Sequence, residues 1–512
     1  MRARAMPPSP FGPFSDNAHG EAPDGRFSGM RRLLIGSLMA LLFCSSLPSL
    51  AAGASPSSVV LHVYDATGAR LSWAQFRNLQ ENGNGTNGDN DMLLDPTTLA
   101  VTTPWPLYEG GSGDPVFDWT GSRTTLSVAW PTSDGYSNLL LDVGAPGTYD
   151  FTYLAAKEAI ASLDAMVRAR PSYAPSAAFT SASQNGHALL AQATAVTNEP
   201  AQGGLGARAY DDAVHAQRLL LTEYGVQYGR QRNATGTPTV WGVTYDTISG
   251  GAGALQSATN LVSGAVGKGW VRIVFDRSEP ATYYVGEVAA AHLQGLRVVG
   301  QFLDSSDMAS VSLAQWQARV TSYLAVLAAV DEWEIGNEVN GNWLGTGVVA
   351  KISYAAQAVK AKTSARTLLT LYYQLGEDDA AHSMFTWARA NLGPTTMAYI
   401  NDLGLSVYPE DHPLGAALDR VLTTLHTQFP AQSLMMTELD YWSPDLGHTW
   451  WWGSSTDPFG AGRQAVATDY SAAMLGYSYS RGGTFWWYFP EEAPQGSSLW
   501  SAMRGVYTAT GG

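Results

Sequence analysis

From residue 239 onward the chain alternates apolar runs with amphipathic stretches, and this alternation constrains the fold more than any other feature of the sequence. The apolar runs are TVWGVTYD (239–246), WVRIVFD (270–276), LRVVGQFLD (296–304), VDEWEIGNE (330–338), TLLTLYYQ (367–374), DLGLSVYP (402–409), SLMMTEL (433–439) and TFWWYFP (484–490). Segments such as LAQWQARVTSYLAVLAA and GRQAVATDYSAAMLGYSYS lie between them and repeat their apolar positions three and four residues apart, as crossover helices do. Strands joined through helices pair in parallel, and eight such units in about 270 residues match a closed (β/α)8 TIM barrel. An open, doubly wound sheet is the competitor. It would place a glycine-rich phosphate turn after the first strand, and YDTISGGAG lacks that fingerprint.

The chain ahead of the barrel reads differently. Residues 57–154 are short alternating runs broken by turn residues, such as VVLHVYDATGAR and TTLSVAWPTSDGYSNLLLDVGAPGTYDFTY, and predict a small all-β, sandwich-like module. Helical spacing over 155–235 predicts a helical connector, and 236–512 is the barrel. Residues 30–54, MRRLLIGSLMALLFCSSLPSLAAGA, have the charged start, apolar centre and small-residue end of a secretory signal peptide, which makes 1–29 an upstream extension and the protein secreted or periplasmic. An uncleaved membrane anchor is the alternative, although the apolar run is short for a span. Cys44, the only cysteine, falls inside this segment, so a cleaved chain would have no disulfide and no thiolate chemistry. The net charge of −15 and the absence of a long Lys/Arg run argue against nucleic acid and anionic membranes as partners. A neutral substrate fits better, and 17 Trp and 24 Tyr leave rings to spare for stacking on sugars.

In a barrel of this kind the site is built at the C-terminal ends of the strands. The polar residues closing the apolar runs include Arg272, Asp304, Asn337, Glu338, Tyr408, Glu438 and Trp486 or Trp487. A single strand-end glutamate is usually a solvated rim residue. Glu338 and Glu438 close the fourth and seventh runs, nearly opposite each other around an eight-membered ring, where two carboxyl groups can address one glycosidic bond.

This set of residues resembles the clan A retaining glycoside hydrolases, over roughly the last half of the chain. The resemblance implies that Glu338 in GNE is the general acid/base, that Asn337 binds a sugar 2-hydroxyl, and that Glu438 in MMTELDYW is the nucleophile. It further implies that Arg272 in VRIVFD keeps Glu438 charged, that Tyr408 in LSVYP donates to it, and that the tryptophan pair in TFWWYFP supplies the platform beneath the scissile sugar. Two departures stand out. Ser406 occupies a position where many clan members have histidine, and no histidine follows FLD.

The expected division of labour keeps Glu338 protonated, through apolar neighbours such as Trp333 and Trp343 and the charge of Glu438, and keeps Glu438 ionised beside Arg272. A carboxyl separation of about 5–5.5 Å and retention at the anomeric carbon follow from that scheme. Glu332 and Glu334, of the same parity, are read as structural. The acidic groups at 377–379 and 410–411 read as solvated loop, and His412 and His448 lack metal-ligand spacing, so no metal and no cofactor is expected. Trp450, Trp451 and Trp452 on the loop after the seventh strand suggest a stacking platform, assigned to Trp451. The expected protein is a monomeric endo-acting hydrolase of a β-linked glycan. The alternatives are an exo-acting β-glycosidase or xylosidase, or a non-catalytic carbohydrate-binding barrel.

Overall fold

The first described residues form short strands that turn residues separate. In the computed structural model, which describes residues 57–80, 91–237, 239–245, 247–263, 269–376, 379–441 and 458–510, β1 (Ser58–His62) is followed by helix α1 (Trp73–Gln80). Strands β2 (Met92–Leu94), β3 (Val101–Pro104), β4 (Tyr108–Glu109), β5 (Pro115–Asp118), β6 (Thr124–Thr132), β7 (Gly135–Val143) and β8 (Gly147–Asp150) follow. They form two four-stranded sheets, ordered β4-β5-β1-β8 and β3-β2-β6-β7. The TSDG turn joins β6 to β7, pairing Thr132 with Gly135, and the left-handed φ of +98° at that position is one glycine adopts without penalty. Phe76, Trp130 and Phe151 pack edge and face in the module core.

Three helices come next: α2 (Phe151–Arg168), α3 (Ala177–Ala195) and the 36-residue α4 (Glu199–Ala234). Each starts where a polar side chain can accept a free N–H of the first turn: Asp150 from Tyr153, Ser176 from Phe179 and Asn198 from Ala201. Gly225 of α4 has no room for a side chain, since a Cβ there would stand 1.8 Å from the carbonyl oxygen of Ala472 on the barrel exterior. The connector is therefore packed onto the barrel.

The barrel strands are β9 (Val240–Tyr245), β10 (Gly269–Val274), β11 (Arg297–Gln301), β12 (Glu332–Gly336), β13 (Arg366–Tyr372), β14 (Asp402–Val407), β15 (Ser433–Leu439) and β16 (Ser480–Trp486). All pair in parallel in sequence order, and β16 closes onto β9. Helices α5 (Thr247–Val262), α6 (Val285–Leu293), α7 (Leu313–Val326), α8 (Val348–Lys362), α9 (Met384–Asn391), α10 (Pro394–Met397), α11 (Leu418–Gln428), α12 (Arg463–Leu475), α13 (Phe489–Glu492) and α14 (Ser498–Ala509) complete the chain. The last strand starts earlier than the sequence suggests and ends at Trp486, because Phe489 and Pro490 open α13 instead of extending the strand. Val240, Trp270, Val299, Leu368, Met435 and Phe485 form a separate buried apolar cluster contributed by six barrel strands.

Module, connector and barrel fall within one compact unit, Pro56–Gly512. Asn138 of β7 donates to the Tyr373 hydroxyl at 3.2 Å just past β13, Val101 N–H donates to Thr386 Oγ1 at 3.0 Å, and Arg420 donates to Asp142 at 3.0 Å. Among the described residues no helix is long and apolar enough to cross a membrane. The expected signal segment, Cys44, Asp246, residues 377 and 378, His448 and the Trp450–Trp452 run, Trp451 included, lie outside the described residues.

Candidate active site

The site is assembled by two local departures from strand regularity. Strict alternation turns successive side chains to opposite faces, yet Thr437 and Glu438 both reach the barrel interior. Thr437 Oγ1 meets Thr370 Oγ1 at 2.9 Å, while Glu438 meets Arg272 Nη2 at 2.9 Å. A register shift against β14 resolves this: Leu405 pairs with Met436 and Ser406 with Glu438, leaving Thr437 as the extra residue of a bulge. Two residues past the end of β12 the corresponding device is Glu338, whose φ of +50° is a left-handed conformation rare for a side-chain-bearing residue. It brings neighbouring Asn337 and Glu338 into the same mouth, both almost fully buried.

Arg272 stands at the centre, fully buried on β10. Its Nε donates to Glu334 Oε2 at 2.7 Å, its Nη2 bridges Glu334 Oε1 at 3.3 Å and Glu438 Oε2 at 2.9 Å, and its guanidinium lies 5.1 Å from the Trp487 ring centre. Thr370 Oγ1 donates to Glu334 Oε1 at 2.5 Å. Glu438 also accepts from the Tyr408 hydroxyl at its Oε1 and, at the long limit of 3.5 Å, from Asn337 Nδ2 at its Oε2. Glu338 is served differently. Its Oε2 accepts from Ser305 Oγ at 2.7 Å, and its Oε1 is buried without a partner among the described residues.

These surroundings separate the two carboxyl groups. Burial raises both pKa values above the ordinary carboxylate range. For Glu338 the negative charge of Glu438 adds to burial, and only the hydroxyls of Ser305 and Ser406 oppose it. For Glu438 the Arg272 charge and the Tyr408 hydrogen bond pull back toward the ionised form. Protons therefore settle on Glu338 before Glu438. Ser406 faces the same carboxyl as Ser305, although its oxygen makes no hydrogen bond of regular geometry among the described residues.

The tryptophans divide as well. Trp487 lies over Arg272, whereas Trp486 is core, with its Nε1 donating to Glu492 Oε2 at 2.9 Å. Trp343 packs edge-on against Tyr372 at 5.3 Å, and Tyr372 touches His412 at 5.2 Å and Tyr408 at 6.2 Å, forming an aromatic wall on the β13–β14 side. Trp333 does not supply the apolar setting of Glu338 expected from the sequence. Its parity on β12 is opposite to that of Glu332 and Glu334, and it stacks on Phe302 at 4.3 Å and faces Phe275 at 5.9 Å. Glu332 bonds Arg481 at 2.6 Å, away from Arg272. Glu334, read as structural, is the residue that shares Arg272 with Glu438. Its signal was available: it is a carboxylate inside an apolar strand, and an acid buried there needs a cation. Ser305 had no such signal, because a hydroxyl after FLD is common loop chemistry.

No family model and no curated protein matches the chain. Similar solved structures include the GH113 β-mannanase AaManA from Alicyclobacillus acidocaldarius, at 13% identity over 53% of this chain and 98% of that one, with a TM-score of 0.37. The endo-1,4-β-xylanase XylE of Penicillium canescens is similar at 14% identity over 55% and 97%, TM-score 0.37. A mandelate racemase/muconate lactonizing enzyme from a marine actinobacterium is similar at 10% identity over 76% and 88%, TM-score 0.30.

Proposed function

We propose that the protein is a retaining glycoside hydrolase of the clan A type that cleaves a β-linked glycan by double displacement, acting within chains. The observation that carries this reading is the unequal partnering of two buried carboxyl groups at one barrel mouth. Glu438, held by Arg272, Tyr408 and Asn337, is equipped to stay anionic and attack the anomeric carbon. Glu338, with one oxygen unpartnered and Glu438 facing it, is equipped to hold a proton for the leaving oxygen and, once ionised, to activate water. Trp487 beside Arg272 and Trp343 beside Tyr372 supply ring surfaces near the carboxyl pair on which sugars can stack, which favours action within chains. Secretion rests on the signal-like segment 30–54.

The test is hydrolysis of a panel of mannan, xylan and β-glucan by the wild type and by Glu438→Ala, with the product anomer followed by NMR. The variant should lose at least about 10³-fold in kcat/KM while keeping its melting temperature. No hydrolysis by the wild type, or equal rates in the variant, overturns the assignment. Inversion at the anomeric carbon overturns the double displacement.

A further inference from the structure

Ser305 is the first residue of a short 3-10 turn, Ser305–Ser310, that leaves the end of β11. The turn is fixed from two sides. The Asp304 side chain accepts the Ser306 N–H at 2.9 Å, and Lys351 on α8, a buried lysine, donates to the Met308 carbonyl at 2.8 Å. Ser305 itself is 4% exposed, so its hydroxyl has little freedom to leave Glu338 Oε2. The other oxygen of that carboxyl, Oε1, has no partner among the described residues although it is buried. Ser406, which faces the same carboxyl, makes no hydrogen bond of regular geometry to it, so Oε1 is left as a buried oxygen at the barrel mouth, where a ligand atom can meet it.

We propose that Ser305 is a positioning residue that selects which oxygen of Glu338 carries the transferable proton, keeping it on Oε1 by donating its own hydroxyl hydrogen to Oε2. An oxygen that already accepts a strong hydrogen bond is the poorer site for the acid proton. The proton therefore sits on the oxygen left open to substrate. It passes from Oε1 to the glycosidic oxygen as the C1–O bond breaks, the bond pair stays on the leaving oxygen, and Glu438 forms its bond to C1. In the second half-reaction Oε1 takes a proton from the attacking water as the water oxygen bonds C1, and the C1–O bond to Glu438 breaks with its electron pair returning to the Glu438 carboxylate. The inference rests on the reading of Glu338 as acid/base given above.

The groups facing Glu338 are Glu438 from β15 and Asp304 ahead of Ser305, both raising its pKa, and Ser406 from β14, which with Ser305 favours the anion. Loss of the Ser305 hydroxyl thus has two consequences. The proton is shared between two oxygens, and the basic limb of the pH profile moves to higher pH.

Both are measurable with aryl β-glycosides of graded leaving-group acidity, using wild type, Ser305→Ala, Ser305→Thr and the pair Glu338→Ala and Glu338→Ala/Ser305→Ala. Ser305→Ala should slow substrates with poor leaving groups about tenfold, leave dinitrophenyl glycosides within about twofold because they need no protonation, and shift the basic limb of kcat/KM upward. Ser305→Thr, which keeps the hydroxyl, should restore the leaving-group dependence of the wild type. In the Glu338→Ala background the same substitution should be silent. A uniform loss across leaving groups, an unmoved basic limb, or an equal effect without Glu338 overturns the proposal. A wild type inert on every glycoside and glycan overturns the functional reading instead.

Discussion

At the N-terminal end of the barrel strands, Glu332 and Asp402 face two guanidinium groups. Arg481 reaches them at 2.6 and 3.0 Å, and Arg366 forks Asp402 at 2.7 and 2.8 Å. At the C-terminal end, Arg272 alone serves both Glu334 and Glu438, and among the described residues no cation bonds Glu338. One strand, β12, runs between the two arrangements and contributes an acid to each. Where charges are matched, the cluster fixes the closure of the barrel, tying β12, β13, β14 and β16 together. Where carboxyl groups outnumber guanidiniums, the surplus acid takes a proton; burial beside Asp402 raises Glu332 too, to about 8, so what sets Glu338 apart is its place at a strand tip, where its proton is available for transfer.

The sharpest way to break this comparison is to remove one arginine at each end. Arg272→Met leaves Glu334 and Glu438 buried without their cation and should cost about 3–5 kcal/mol of stability together with most of the activity. Arg481→Met strands Glu332 alone, since Asp402 keeps its Arg366 fork and Glu332 can take a proton, and should lower stability by less, with kcat/KM within about twofold of wild type. Equal activity loss in both would show that the mouth is merely another structural ion-pair cluster. Denaturant unfolding and initial rates on the same preparations separate the two outcomes.

A smaller effect should carry the opposite sign. Glu338→Gln replaces an acid that must hold a proton beside Glu438 with a neutral amide, so at a pH high enough to ionise Glu338 it should raise stability by about 1 kcal/mol while abolishing proton transfer, the trade expected of a strained functional site. Destabilisation by this substitution would place Glu338 with the structural acids at the other end.

The smallest expected effect is on pH dependence, and it sharpens the comparison because both ends contribute. Glu332, Glu338, Glu438, Asp440 and Glu492 are all raised, with burial as the leading cause. Above the ordinary glutamate value of 4.5 the folded chain holds more protons on these groups than the unfolded chain, so stability falls as pH rises through their folded pKa values. Asp65, Asp95, Asp114 and Asp134, lowered by hydrogen bonds and nearby cations, act in the opposite sense in acid. The melting temperature should therefore be higher near pH 5 than near pH 8, and Glu338→Gln should flatten part of that slope. A melting temperature that rises over this interval would contradict the raised values.

How much of this was legible in advance depended on whether a residue acts through its own chain neighbourhood or through another strand. The eight strands were legible because each is a long apolar run bounded by helix-forming sequence, and burial on both faces enforces that pattern. Arg272, Asn337, Glu338, Tyr408 and Glu438 were legible as candidates because polar residues at the tips of apolar runs have few structural reasons to be there. The choice of Trp487 over Trp486 was not legible. Two adjacent tryptophans are equivalent until the register of β16 against β15 and β9, with its irregular pairing, decides which ring faces Arg272 and which bonds Glu492.

The sequence by itself determined the order and number of the strands, and with it the ring in which the fourth and seventh tips lie nearly opposite. Tertiary structure decided the rest. A one-residue bulge at Thr437 turns Glu438 inward against the parity of its strand, a left-handed φ does the same service for Glu338, and a turn from β11 delivers the Ser305 hydroxyl to one of its oxygens. The physical reason is that periodicity is a property of consecutive residues, whereas bulges, backbone strain and the partnering of a buried charge depend on strands far apart in sequence.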